Sequence, residues 1–219
     1  PAQSISEYAR NHLSFGPDIA ENLGYLAAWQ RVFSGDSFDF DYHLCAAVTY
    51  DPGQMTLSRV LHGDVRALDG LGLHGLINCQ QQRVTMPHGF ALFLGGQALC
   101  DPSLDYERAR DAYFERAFGP EYGAALCFCE TLSRLFPMDL YGKDHPEPSE
   151  QAARALESLR AYLERVELPA PQDLCPAQAR SWQNLRFWRA FMLRLCDYLI
   201  PFSRRDEARW RPAWEDLRR

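Results

Sequence analysis

The sequence predicts an α/β chain that is predominantly helical, with one βαβ unit followed by helices alone. Three observations predict it. Ser37–Arg83 holds an aromatic-alternating run (SFDFDYHL), a helical pattern from about Met55 to Asp69, and a second apolar run (LHGLIN). That order is strand, crossover helix and parallel strand, joined right-handedly. After Asp101-Pro102 only helical periodicity remains. Two late apolar stripes joined by a proline-rich stretch predict an antiparallel helical hairpin.

The elements follow in order. Asp18 and Glu21 have capping-box spacing, and Ile19, Leu23, Leu26, Trp29 and Phe33 recur at helical intervals, so a helix is expected from about Ile19 to Phe33. Ser34-Gly35-Asp36 ends it. In the first strand, Phe38, Phe40 and Tyr42 alternate with Asp39, Asp41 and His43, which places the two sets on opposite faces. His43–Gly53 is then a long loop closed by the turn Asp51-Pro52-Gly53. The crossover helix carries Leu57, Val60, Leu61, Val65 and Leu68 on one face, with Gly70 and Gly72 as its stop. A second strand over Leu73–Cys79 and an apolar helix over Gly89–Leu99 follow.

Helices over Asp105–Phe118 and Glu121–Phe136 precede Pro137–Pro148, the only stretch with the composition of a linker. Ser149 caps a helix with Leu156, Leu159, Leu163 and Val166 in register. A longer helix aligns Trp182, Leu185, Trp188, Met192, Leu195 and Leu199 and stops at Pro201. Arg204–Arg219 reads as a charged tail with Trp210 and Trp214.

Composition narrows the function. Of 219 residues, 47% are hydrophobic and 24% charged, as in ordinary globular proteins. The net charge is −6 and Lys143 is the single lysine, with the arginines spread along helices, which disfavours nucleic acid as a partner. No window approaches the ~18 uninterrupted apolar residues of a membrane span, and the first residues lack the apolar core of a signal peptide. The seven cysteines form no CxxC pair, so reduced, buried thiols and a cytoplasmic location are expected. Cys127 and Cys129, two apart on a helix, point to different faces and make a poor metal chelate.

The two strands both end in polar clusters, and ligands of parallel α/β sheets bind beyond the carboxyl ends of the strands. Asp39 and Asp41 share a strand face, and Asp41, nearer the carboxyl end, is the candidate acid–base residue. Sugar cleavage needs one protonated and one ionised carboxyl roughly 5–10 Å apart. A structural acceptor for loop amides is the other reading of either aspartate.

Tyr42 and His43 suit sugar recognition, the ring stacking on C–H groups and the polar tips bonding hydroxyls. A half-buried tyrosine and a core-edge histidine are the alternative. Asn78, Gln80, Gln81 and Gln82 offer amide donors and acceptors for hydroxyls, and Arg83 could meet a carboxylate. A solvated polar loop is the alternative here. Cys79 has no activating base in sight and reads as packing. His62, His74 and His88 read as surface or core histidines. There is no P-loop, G-x-S-x-G or H-E-x-x-H, and neither a cofactor nor a metal is expected.

The succession ENLGYLAAWQRVF, FDFDYHL, RALDGLGLHGLINCQ and PHGFALFLGGQALCDPSLDYERARDAYFERAFG resembles the C-terminal half of a domain-of-unknown-function family associated with glycoside hydrolases. That family is similar to the barrels of alpha-glucuronidases and beta-N-acetylhexosaminidases. The resemblance covers roughly Tyr8–Leu135 and rests on Asn22…Trp29, Asp41-Tyr42-His43, Gly72-Leu73-His74-Gly75, Asp101-Pro102 and Phe118-Gly119. It implies the last βα units of a TIM-barrel-like (β/α)8 domain over residues 1–136, a linker over 137–148, and a helical extension over 149–219. Phe38–Leu44 and Leu73–Cys79 would be the last two strands, with Tyr42, His43, Gln80 and Gln81 at the sugar-facing rim. Cys100 departs from the family, standing where an aromatic is expected.

The expectation is therefore a carbohydrate-active, glycoside-hydrolase-like chain that binds or hydrolyses a glycan. No complete acid–base pair is identifiable, and the missing strands are expected upstream or on another molecule, including a homo-oligomer. The rival expectation is a helical interaction or assembly module presenting the tryptophan-rich stripe, or a sugar-binding protein without turnover.

Overall fold

The computed structural model describes residues 19–45, 50–79, 85–137 and 148–218. The chain divides into two compact units, residues 1–38 and 39–219. The first contributes α1 (Ile19–Gln30). The amides of Val32 and Phe33 both bond the carbonyl of Trp29, closing the helix, and the Trp29 and Phe33 rings stack at 5.0 Å. The proposed cap Asp18 lies outside the described residues.

The second unit is predominantly helical around two short parallel strands. β1 (Asp39–Asp41) and β2 (Leu76–Asn78) pair Asp39 with Leu76, Phe40 with Ile77 and Asp41 with Asn78. Both are shorter than Phe38–Leu44 and Leu73–Cys79, and each boundary has a local cause. Beyond Asp41 its own carboxylate takes the amides of Tyr42 and His43, and the Cys45 amide turns back to the Tyr42 carbonyl. Before Leu76, the Leu73 amide still caps the crossover helix at the Leu68 carbonyl. None of these four amides is free to extend the ladder.

The crossover helix is α2 (Met55–Ala67), followed by a 3-10 turn at Asp69–Leu71. That turn ends at Gly72 with φ of 67°, a left-handed position glycine adopts at no steric cost. Leu57, Leu61, Val65 and Leu68 are buried, whereas Val60, expected on the same face, is exposed. α3 (Phe90–Cys100) lies against α2. Gly95 makes the approach close, since a Cβ there would sit 3.1 Å from Leu61. Leu44, Leu57, Leu61, Val65, Ala91 and Ala98 form one small core, with Leu76 of β2 packed on it.

The larger core is helical. α4 (Tyr106–Phe118), α5 (Tyr122–Leu135), α6 (Glu150–Arg165) and α7 (Pro176–Ser203) surround Phe90, Phe114, Phe118, Phe128, Leu156, Leu163, Trp182 and Met192. This single cluster runs through residues on both sides of 137–148. α4 and α6 start at the side-chain caps Asp105 and Ser149. α6 and α7 are antiparallel, because Glu150 meets Arg204, Arg160 meets Asp197, and the Leu163 carbonyl receives Arg189.

Two details differ from expectation near the carboxyl end. α7 continues through Pro201 to Ser203, although the proline gives up its own bond to the preceding turn. The charged tail is a helix, α8 (Glu207–Leu217), whose Trp210 and Trp214 pack on Tyr198, with Trp210 also against Phe202. No helix among the described residues is long and apolar enough to cross a membrane.

Candidate functional site

The alternation read from the sequence builds the site. Phe40 and Ile77, register partners, project from one face of the two-stranded sheet and are exposed. The other set of side chains converges at the carboxyl end of β1. His43, 9% exposed, is held between two carboxylates. Its Nδ1 lies 2.8 Å from Oδ1 of Asp41, and its Nε2 donates to Oδ2 of Asp64 at 2.8 Å. The carboxylate of Asp41, then that of Asp64, stabilises the ring cation against its burial and raises the His43 pKa from 6.5 to about 9. His43 is an imidazolium at neutral pH.

Asp41 does more than neutralise the ring. Its Oδ1 accepts the amides of Tyr42 and His43, the latter at 3.0 Å, so it fixes the turn that carries the histidine. Hydrogen bonding to His43 pulls its carboxyl below the usual range. Asp39, on the same strand face, is shifted the opposite way, because burial and the neighbouring Asp41 charge disfavour its ionised form. The two aspartates of one strand therefore separate into a harder and an easier proton donor.

β2 closes the other side. Asn78 Oδ1 accepts the Leu44 amide at 3.3 Å, tying the loop after β1 to the end of β2. Its Nδ2 is enclosed and meets no acceptor among the described residues. Tyr42 is 55% exposed, with its ring edge-on to Phe40 at 5.3 Å. Burial and the neighbouring Cys45 raise the pKa of the Cys79 thiol.

The structure thus brings together Asp41, His43 and Asn78 of the expected residues, with Tyr42 on the outer side of the same turn. Gln80, Gln81, Gln82 and Arg83 lie outside the described residues. Asp64 was not anticipated. It sits on the crossover helix, off the apolar face, and no spacing in the sequence links it to His43. Arg59 of the same helix pairs with Glu107 and lies over the Tyr106 ring at 4.2 Å.

His88 and His62 take structural roles. His88 is buried, accepts the Phe90 amide at Nδ1 and reaches the Gly53 carbonyl with Nε2 at 3.0 Å, which makes Nε2 the protonated nitrogen. Burial lowers its pKa from 6.5 to about 4. His62 bonds the Leu104 carbonyl. All seven cysteines are free thiols, but Cys100, Cys127 and Cys175 are exposed, contrary to the expectation of buried thiols. Cys127 is exposed and Cys129 buried, so they do point apart. No cluster of three or more metal-ligating side chains occurs among the described residues.

A groove of about 490 Å³ lies elsewhere, between α6, α7 and the start of α8. Its Arg160 and Arg204 are already paired with Asp197, Glu164, Glu150 and Glu157, which leaves it no uncompensated charge from either arginine. The tryptophan stripe of α7 is likewise spoken for within the chain. Trp182 is buried with its Nε1 donating to the Phe118 carbonyl, and Trp188 donates to the Pro52 carbonyl.

The chain matches no family model, no curated protein and no solved structure.

Proposed function

We propose that the carboxyl ends of β1 and β2 form one side of a carbohydrate site, in a chain organised like the last βα units of a glycoside-hydrolase-like barrel. The observation that carries this reading is the gathering of Asp39, Asp41 and the His43 ring on one strand face at the end of β1, with Asp39 shifted up and Asp41 down from the ordinary carboxylate value. Glycoside cleavage uses one carboxyl that keeps its proton and one that stays ionised. Two residues apart on one strand, the two side chains leave the same face from Cα atoms about 6.6 Å apart.

In this reading Asp39 is the acid and Asp41 the ionised partner, whose charge is held by the His43 imidazolium. Tyr42 offers an exposed ring for stacking on a sugar face, and Asn78, Gln80 and Gln81 are the amides assigned to hydroxyls, with Arg83 as the cation for an acidic sugar. The likeness of FDFDYHL and LHGLINCQ to the glycoside-hydrolase-associated family points the same way.

The test is binding and turnover of an oligosaccharide panel by the parent chain and by Asp39→Asn, Asp41→Asn and Gln80→Ala, each shown to be folded by circular dichroism. Weakened binding in all three, with any turnover lost in the aspartate variants, is expected. Variants that bind the panel as tightly as the parent would remove the reading.

A further inference from the structure

We propose that Cys45 and Cys79 form a reversible intramolecular disulfide, a modification site that fastens the turn after β1 to the end of β2. The inference is independent of any sugar ligand. It starts from backbone geometry. The strand register ends at Asp41 opposite Asn78, and the next ladder bond runs from the Cys79 amide to the Asp41 carbonyl at 2.8 Å. Tyr42 is thus the neighbour of Cys79. The Cys45 amide returns to the Tyr42 carbonyl at 2.9 Å, folding Cys45 back over that position, and the Asn78 side chain holds the intervening Leu44 amide.

These bonds set Cys45 and Cys79 at adjoining positions, near enough that Cys45 disfavours ionisation of the Cys79 thiol. Both residues are only partly buried, so a small oxidant can reach them. Cysteines on two separately anchored, adjoining segments are the arrangement from which disulfide geometry is reached with limited backbone movement.

The oxidant is a small disulfide such as oxidised glutathione. One protein thiolate attacks a glutathione sulfur and expels a glutathione thiolate, giving a mixed disulfide. The second protein thiolate then attacks the protein sulfur of that mixed disulfide and expels the other glutathione thiolate. Two protein thiols and one oxidised glutathione become one protein disulfide and two reduced glutathiones. Each thiol proton ends on a glutathione, and reduced glutathione in excess reverses the exchange. The bond encloses α2 in a covalent loop, which removes freedom from the unfolded chain.

The experiment uses the full chain with Cys100, Cys127 and Cys175, all exposed, replaced by serine, alongside the unsubstituted parent. Both are equilibrated with defined mixtures of reduced and oxidised glutathione, quenched with acid, and mapped by mass spectrometry of unreduced peptides. The expected result is a peptide linking Cys45 to Cys79, the loss of two reactive thiols, and a thermal midpoint raised by several degrees. In Cys45→Ser the expected product is instead a glutathione adduct on Cys79, with no rise in midpoint. Should both thiols remain free in oxidised glutathione, or take up glutathione separately in the parent without linking, the proposal is overturned. Because the parent chain supplies that readout, misfolding of a variant cannot mask it.

Discussion

Two histidines mark the two ways this chain uses polar groups. Around His88 everything is buried. Asp51-Pro52-Gly53-Gln54 dives between α2, α5 and α7, and its polar groups are met in place: Asp51 accepts the amides of Gln54 and Leu57 and the Ser133 hydroxyl, Gly53 meets His88, and Pro52 meets Trp188. Around His43 the partners are charged and half open to water, with Asp64 58% exposed. The core keeps its histidine neutral and meets its one carboxyl, Asp51, with hydrogen-bond donors, whereas the strand end gathers charge and keeps its histidine protonated. Polar groups that knit helices together are met by hydrogen bonds. Those at the strand end are arranged around an ion, which is the arrangement a site for chemistry needs.

The sharpest way to break the first region is Gly53→Ala. A Cβ there would stand 2.0 Å from the Cys129 carbonyl and 2.8 Å from the Ser133 amide, both main-chain atoms of α5 that cannot swing aside. The expected loss is roughly 4 kcal/mol, read as a fall in the urea midpoint. Next comes Asp51→Ala, which strands the buried amides of Gln54 and Leu57 and the Ser133 hydroxyl. A cost of roughly 3 kcal/mol follows from leaving such donors unpaired. Either substitution should unfold the helical core without altering the His43 titration in whatever fraction stays folded. A coupled change in that titration would show that the two regions are not separate.

The contrast explains what could be read in advance. The βαβ order, the strand alternation and the helices from Asp105 onward follow from apolar periodicity, which is local. So does the grouping of Asp39, Asp41 and His43 on one strand face. What could not be read depends on distant partners. Asp51-Pro52-Gly53 reads as a surface turn, because nothing nearby announces that Ser133, His88 and Trp188 will enclose it. Asp64 joins His43 only once α2 crosses back over the strand. The strands read long because amides that side chains and turns take up at Tyr42, His43 and Leu73 are invisible in an apolar pattern. α8 read as a tail because Pro212 and a high charge conceal the tryptophans that anchor it.

The two histidines should also leave opposite marks on stability against pH. His88 has a folded pKa of about 4 against 6.5 unfolded, so acidification from about pH 6.5 to 4 protonates the unfolded chain first and lowers stability. His43 has a folded pKa of about 9 against 6.5, so its contribution is complete below about pH 6.5 and is lost as pH rises through about 9. Urea midpoints should therefore peak near pH 6.5. His88→Gln should flatten the fall between about pH 6.5 and 4, and His43→Gln the alkaline limb together with the further fall below about pH 4, where Asp41 loses the ring that lowers its pKa. If His88→Gln alters the alkaline limb, or His43→Gln the fall between about pH 6.5 and 4, the assignment is wrong.

The smallest effect is the most informative about the site. Asp64→Asn removes a mostly exposed carboxylate, so the urea midpoint should shift by under about 1 kcal/mol of stability. The His43 ring should nonetheless titrate lower, because one of its two stabilising charges is gone, while Asp41, the larger influence, keeps it above 6.5. Proton NMR of the ring resonances across pH 5–10 reads this directly. A midpoint unchanged from the parent would mean that Asp41 alone sets the charge of His43, leaving α2 a scaffold and the strand end the whole of the ionic cluster. A fall to 6.5 or below would mean the reverse, that the crossover helix supplies the charge that makes His43 a cation at all.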